Sequence, residues 1–118
     1  MREAADAPQP TATDARVVLV TAPDEATALT LARTLVDESL AACCSLIPSI
    51  RSVYRWQGER CEDPEWLLVI KTTAPALARL TQRVIELHPY EVPEVVALPI
   101  VGGAEPYLEW VAQSVIAS

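Results

Sequence analysis

The sequence lacks phenylalanine and contains one histidine, one lysine and three glycines among its 118 residues. A single imidazole cannot build a multi-histidine metal site within one chain. The only glycine pair, Gly102-Gly103, does not open a dinucleotide-binding fingerprint. No apolar run approaches the about 20 residues that a membrane-spanning helix needs. Nine basic against 16 acidic residues give a net charge of −7, so we expect neither nucleic acid nor an anionic membrane as a partner.

The amino-terminal residues have no pattern that would support a fold. Residues 1–15 are small, polar or proline and show no apolar periodicity, so we predict a disordered leader followed by a single domain over residues 16–118. Acidic side chains follow Met1 where a secretory signal would continue into an apolar run. Three cysteines without a Cys-x-x-Cys pair are typical of reduced thiols. The sequence therefore predicts a cytoplasmic protein.

The apolar periodicity alternates between that of strands and that of helices. Runs of β-branched residues and two-residue alternation predict strands, and stripes three or four residues apart predict helices. Pro48 should interrupt the second strand, and Gln57-Gly58 should turn a hairpin. Order is expected to begin at Arg16. The predicted elements are strands from Val17 to Val20, Cys43 to Trp56, Trp66 to Thr73 and Glu94 to Ile100, with helices over 24–41, 75–87 and 105–116.

This order of elements predicts an α+β ferredoxin-like sandwich with an extra C-terminal helix. Two strand-helix-strand units that meet at a hairpin make one antiparallel sheet with two helices on one face. The other face of the sheet would then expose apolar residues, which proteins usually bury by association. We therefore expect an oligomer; the alternative is that the C-terminal helix covers this face alone.

Few residues have a pattern that indicates chemistry. No nucleophile motif and no phosphate loop is present, so we expect a protein that is not an enzyme. His88, at a predicted helix end, is a candidate metal ligand, and its alternative role is capping or packing. Cys43 and Cys44 are soft-ligand candidates for copper or zinc, and core packing is the alternative for both.

Three further side chains are candidates for contacts with a ligand. Lys71 lies near the end of a predicted apolar strand, where its ammonium group would bind an anion or its stem would extend to the surface. Tyr54 and Trp56 share one face of the second strand, where aromatic residues serve more often as packing or interface anchors than as a ligand platform.

Several motifs together resemble the CutA family of divalent-cation tolerance proteins. The similarity runs from about Val17 to Val115. It is carried by Val20-Thr21-Ala22-Pro23-Asp24, Leu40-Ala41-Ala42-Cys43, Ser52-Val53-Tyr54-Arg55-Trp56-Gln57-Gly58, Ile70-Lys71-Thr72-Thr73 and His88-Pro89-Tyr90-Glu91-Val92-Pro93-Glu94. The resemblance implies a ferredoxin-like subunit, a homotrimer and a response to copper and other divalent metals. It also implies similarity in architecture to PII signalling proteins, which bind small ligands between subunits.

The resemblance leaves two functional hypotheses. Some bacterial members place copper ligands where this chain has Val20 and Leu87, so of that set only His88 remains. The first hypothesis is a metal-responsive trimer that binds copper or another divalent cation weakly through His88 and requires no cofactor. Its further ligands would be Cys43 or carboxylates across a subunit boundary. The alternative is a PII-like module that binds a small ligand or protein partner in an inter-subunit cleft lined by Lys71, Tyr90 and Glu94.

Overall fold

A computed structural model describes residues 13–116. Along the chain lie β1 (Ala15–Ala22), α1 (Glu25–Asp37), β2 (Cys43–Trp56), β3 (Glu59–Thr73), a 3₁₀ turn (Ala74–Ala76), α2 (Leu77–Leu87), β4 (Val96–Pro99) and α3 (Glu105–Ser114). The four strands form one antiparallel sheet in the order β2-β3-β1-β4. This topology confirms the predicted ferredoxin-like sandwich.

The start of the fold lies slightly earlier than the sequence predicted. β1 begins at Ala15, which is buried, two residues before the predicted strand and one before the predicted start of order at Arg16. The hydroxyl of Thr13 donates a hydrogen bond to the carbonyl of Ile100 at 2.5 Å, so the chain is already held beside the end of β4 at this point. Residues 1–12 of the predicted leader lie outside the described residues.

Helix α1 starts as predicted and ends four residues early. The Asp24 carboxylate accepts a hydrogen bond from the backbone N–H of Thr27 at 2.8 Å, which caps the first turn. Ser39 adopts a positive φ of 58°, and the N–H of Leu40 then donates to the carbonyl of Leu35 at 2.9 Å. This turn buries Leu40 without continuing the helix, which is why its side chain fits the helical stripe but lies outside α1.

The β2–β3 hairpin confirms both predicted irregularities. Gln57 and Gly58 have φ of 50° and 83°, the left-handed pair that a tight two-residue hairpin turn requires. The pairing of β2 with β3 shifts between Ile47 and Ile50, on either side of Pro48. β3 begins at Glu59, seven residues before the predicted start, because the turn extends backbone pairing through a polar segment that has no apolar alternation.

The remaining boundaries differ by small amounts. The predicted helix over 75–87 is α2 preceded by the 3₁₀ turn at Ala74–Ala76. β4 is shorter than predicted and pairs with β1 from Leu19↔Val96 to Arg16↔Pro99. Helix α3 ends two residues before the predicted boundary. No helix within residues 13–116 is long and apolar enough to cross a membrane.

One face of the sheet forms the core with α1 and α2. The completely or almost completely buried side chains there are Val18, Val20, Leu31, Leu35, Leu68, Ile70, Leu80 and Val84. Thr72 is fully buried beside them, and its hydroxyl donates to the carbonyl of Leu40 at 2.7 Å. That hydrogen bond satisfies the only polar atom of the Thr72 side chain and ties β3 to the turn after α1.

The opposite face of the sheet, called here the open face, keeps much of its apolar surface accessible. Because paired residues project to the same side, its apolar members on the strands are Val17, Leu19, Ile47, Leu67, Val69, Val96 and Leu98. Ile47, Val96 and Leu98 are 44%, 48% and 50% exposed. Helix α3 buries Val111 and Val115 in a separate cluster with Ala42 and Ala76. Because Ile47, Val96 and Leu98 remain exposed, α3 does not cover the open face alone.

Candidate functional site

His88 directly follows α2 and fixes the loop over residues 89–95, called here the loop. Its own N–H donates to the carbonyl of Val84 at 2.8 Å, and its backbone then becomes extended because Pro89 disfavours a helical residue before it. The imidazole is only 7% exposed. Nε2 lies 2.7 Å from the carbonyl oxygen of Thr21, and Nδ1 accepts the N–H of Tyr90 at 3.1 Å.

These two contacts determine the state of the ring. A carbonyl oxygen only accepts, so Nε2 must carry the proton, while Nδ1 uses its lone pair on the N–H of Tyr90. His88 is therefore a neutral imidazole with both nitrogens engaged, joining the loop to the end of β1. A metal ion can reach Nδ1 only by displacing the Tyr90 N–H.

Tyr90 links the loop to β3. Its ring lies 4.7 Å from that of His88 between centroids, at an angle of 50°. Its hydroxyl donates to Oε2 of Glu65 at 2.7 Å, and Glu65 is only 6% exposed. Burial, followed by the hydrogen bond to the Glu65 carboxylate, raises the pKa of Tyr90 well above its usual value. The phenol therefore stays protonated and keeps donating to Glu65.

The loop and the half of the β2–β3 hairpin nearer its turn line a cleft of about 670 Å³. Its lining combines aromatic and acidic side chains with a few small ones. It comprises Thr21, Ser52, Val53, Tyr54, Trp56, Glu65, Pro89, Tyr90, Glu91, Val92 and Glu94. The structure thus brings together four residues selected from the sequence, Tyr54, Trp56, Tyr90 and Glu94.

Glu65 is the central residue that sequence reasoning missed. It lies opposite Ile50 in the sheet and on the same face as Leu67, so two-residue alternation places it on the side of the open face. The signal available was this alternation, counted backwards from the apolar part of β3. The predicted strand starts at Trp66 and therefore excludes Glu65.

Tyr54 and Trp56 form the hairpin side of the cleft. They are 43% and 42% exposed, so neither ring is a fully buried anchor within one chain. The hydroxyl of Tyr54 donates to the Asp63 carboxylate at 2.5 Å. That hydrogen bond is the main reason that the pKa of Tyr54 rises to about 12.

Cys43 and Lys71 lie elsewhere on the sheet. They are directly paired on β2 and β3, and the Cys43 Sγ lies 3.5 Å from the hydroxyl of Tyr107 on α3. Lys71 is four residues along β3 from Leu67, the partner of Thr21, a separation of about 13 Å. One chain therefore does not bring Cys43 to His88, and Lys71 does not line the cleft. No group of three or more His, Cys, Asp or Glu within the described part of the chain is placed to hold a metal ion.

Cys44 is expected to be the least reactive of the three free thiols. It packs against the core, and burial, the main cause, raises its pKa to about 12. At pH 8 about one molecule in ten thousand then carries the reactive thiolate. Mass spectrometry after brief iodoacetamide treatment of the folded protein should show Cys44 labelled last. Labelling of Cys44 as fast as Cys61 would contradict its burial.

Residues 16–114 match the family described as CutA1 divalent ion tolerance protein. The chain belongs to the CutA1 family. It is 53% identical over 98 residues to the divalent-cation tolerance protein CutA of Thermus thermophilus, covering 83% of this chain and 95% of that one. The chloroplastic CutA of Arabidopsis thaliana is 49% identical over 98 residues, and these cover 83% of this chain but only 54% of that protein. The crystal structure of CutA1 from Oryza sativa has a TM-score of 0.87 at 44% identity, covering 93% of this chain and 100% of that one.

Within the CutA1 fold, the two positions expected to differ from copper-binding members are apolar and part of the core. Val20 is fully buried, and Leu87 packs against the same cluster. Both side chains lack a metal-binding atom. His88 is therefore the only imidazole near the end of β1 in this chain.

Proposed function

We propose that this CutA1 protein is a homotrimer that takes part in the response to divalent metal ions and binds copper weakly. The observation that carries this proposal is the family match over residues 16–114, together with the name of the Thermus thermophilus relative, a divalent-cation tolerance protein. The chain spans 95% of that relative but about half of the Arabidopsis thaliana protein. The bacterial relative is therefore the better guide to function.

The open face supports the oligomeric part of the proposal. Its apolar side chains are exposed on the two outer strands, at Ile47 on β2 and Leu98 on β4. Those of β1 and β3 between them are partly buried. Apolar surface gains roughly 25 cal/mol for each Å² removed from water, and a face of this kind is typical of subunit interfaces. Association of three copies through this face is the arrangement that we propose.

The geometry of His88 supports weak rather than tight copper binding. Imidazole nitrogen suits copper(II), which has the highest affinity among the divalent first-row metals. Both nitrogens of His88 are already hydrogen-bonded, so binding at Nδ1 loses the contact with Tyr90. Further ligands, Cys43 among the candidates, would have to come from another subunit.

Copper titration by calorimetry at pH 7.5 tests this proposal. We expect the assembled wild-type protein to bind copper(II) with micromolar or weaker affinity. His88→Gln should bind at least about tenfold more weakly, because glutamine keeps a donor for the Thr21 carbonyl but offers no imidazole lone pair. Binding should also weaken at pH 5.5, because protons compete with the metal for nitrogen.

A matched Cys43→Ser variant defines the role of the thiol. Weaker copper binding by this variant would support a shared site between subunits. Equal binding by wild type, His88→Gln and Cys43→Ser would contradict the assignment of both residues and leave exposed carboxylates as the ligands.

We further propose that the protein is cytoplasmic, needs no cofactor and is not an enzyme. Three free thiols are compatible with a reducing compartment, although the Arabidopsis thaliana relative is named as chloroplastic. The engagement of both His88 nitrogens supports the absence of catalysis. The net charge of −7 supports the absence of nucleic-acid partners. Cell fractionation with an antibody tests the compartment.

A further inference from the structure

The cleft between the loop and the hairpin has the polarity of a cation site. It is lined by three carboxylates, Glu65, Glu91 and Glu94, and by no lysine, arginine or histidine side chain. Its volume of about 670 Å³ lies within the range of small-molecule sites. An anion would meet negative charge here without a cationic partner.

The hydroxyl groups of the cleft reinforce this polarity. The hydroxyl of Tyr54 donates a hydrogen bond to Asp63, and the hydroxyl of Tyr90 donates one to Glu65. Each phenol oxygen therefore presents only lone pairs to a ligand. The cleft is rich in acceptors, which suits a ligand that carries N–H donors.

Glu65 supplies a buried and only partly engaged charge. Only 6% of Glu65 is exposed. Its Oε2 accepts a hydrogen bond from the hydroxyl of Tyr90. Within residues 13–116, Oε1 of Glu65 accepts no hydrogen bond. Every fully buried side-chain oxygen in this part of the chain has a hydrogen-bond partner, so Oε1 is not fully buried. Oε1 is therefore accessible, and the cleft that Glu65 lines is the space it faces. A carboxylate in a residue this buried, with one oxygen that receives no hydrogen bond from the protein, favours a cationic partner.

The spacing of the carboxylates distinguishes among cations. Glu65 lies on β3, whereas Glu91 and Glu94 lie on the loop. No three acidic groups in the described part of the chain are close enough to share one metal ion. Two or more separated positive charges joined by an apolar spacer would reach both sides of the cleft. Trp56 and Val92 offer apolar surface for such a spacer, and an indole ring attracts ammonium groups through its face.

We propose that this cleft binds an extended organic cation, an aliphatic diamine or polyamine. One ammonium group occupies the buried end at Glu65, and a second pairs with Glu91 or Glu94 at the rim. The methylene chain lies against Trp56. This ligand class differs from the metal ions of the proposed function and uses neither His88 nor Cys43.

Calorimetry of the assembled full-length protein with spermidine tests this proposal. We expect saturable binding that weakens as salt is raised, because ions screen the rim charges. Glu65→Gln should weaken binding by about tenfold, since it removes the charge that the ammonium group meets. Trp56→Leu should weaken binding by about threefold through loss of the cation–π contact. Glu59→Gln, on the same hairpin but outside the cleft, is the matched control and should bind like wild type.

Two further measurements keep the outcome decisive. Circular dichroism shows whether Glu65→Gln is folded. If it is not, Glu94→Gln at the exposed rim takes its place and should also weaken spermidine binding. Tetramethylammonium, which has one charge and no N–H donor, should bind at least tenfold more weakly than spermidine. The absence of saturable spermidine binding, equal binding by wild type and both glutamine variants, or equal affinity for tetramethylammonium would overturn the proposal.

Discussion

Leu98→Glu is expected to convert the proposed oligomer into single chains of 12.8 kDa. Leu98 is half exposed on the open face and lies opposite Val17, so a single chain can solvate a glutamate there. Burial of the same carboxylate between apolar faces costs several kcal/mol for each copy without a partner. Size-exclusion chromatography with light scattering measures the mass directly.

Ile85→Glu is the matched control for the open-face variant. Ile85 is 49% exposed on α2, which packs on the other side of the sheet. It therefore receives the same charge at the same exposure without altering the open face, and it should keep the wild-type mass. A wild-type mass of one chain, or an assembled Leu98→Glu variant, would show that this face does not hold the oligomer.

His88→Ala is expected to lower the free energy of unfolding by about 2–4 kcal/mol per chain. The substitution leaves the Thr21 carbonyl and the Tyr90 N–H without their partners, and each buried unsatisfied group costs about 1–3 kcal/mol. For a domain of this size the melting temperature should fall by roughly 8–16 °C. Thermal and urea unfolding followed by circular dichroism provide the measurement.

Two variants at the same position separate the two hydrogen bonds. His88→Gln can still donate to the Thr21 carbonyl, and His88→Asn can still accept from the Tyr90 N–H. Each should recover part of the stability that His88→Ala loses. Glu91→Ala, at an exposed position in the same loop, should unfold like wild type. A His88→Ala variant within about 0.5 kcal/mol of wild type would show that these hydrogen bonds are not stabilising.

Local periodicity was sufficient to predict most elements of the fold. The alternation of β2, the interruption at Pro48 and the Gln57-Gly58 turn depend on neighbouring residues, and all three were confirmed. The polar start of β3 was missed because Glu59 to Glu65 pair with β2 through the backbone and show no apolar alternation. The helix end at Asp37 was missed because the turn at Ser39 keeps Leu40 buried.

The candidate site was less accessible to sequence reasoning. Tyr54, Trp56, Tyr90 and Glu94 were selected, and the structure places them in one cleft. The hydrogen bond between Tyr90 and Glu65 joins residues 25 positions apart, and that between His88 and Thr21 joins residues 67 apart. Such long-range pairs leave no periodic signal. Lys71, selected as a lining residue, lies toward the other end of β3 and outside the cleft.

The outer strands of the sheet limit how copies can add to one another. Pro48 interrupts β2 at its bulge, and Pro99 ends the four-residue β4. A proline has no N–H to donate, so neither edge offers a long unbroken ladder to an incoming strand. Continuous strand-by-strand growth into fibrils is therefore disfavoured at both edges. The apolar open face can drive association while the edges prevent the sheet from extending without limit.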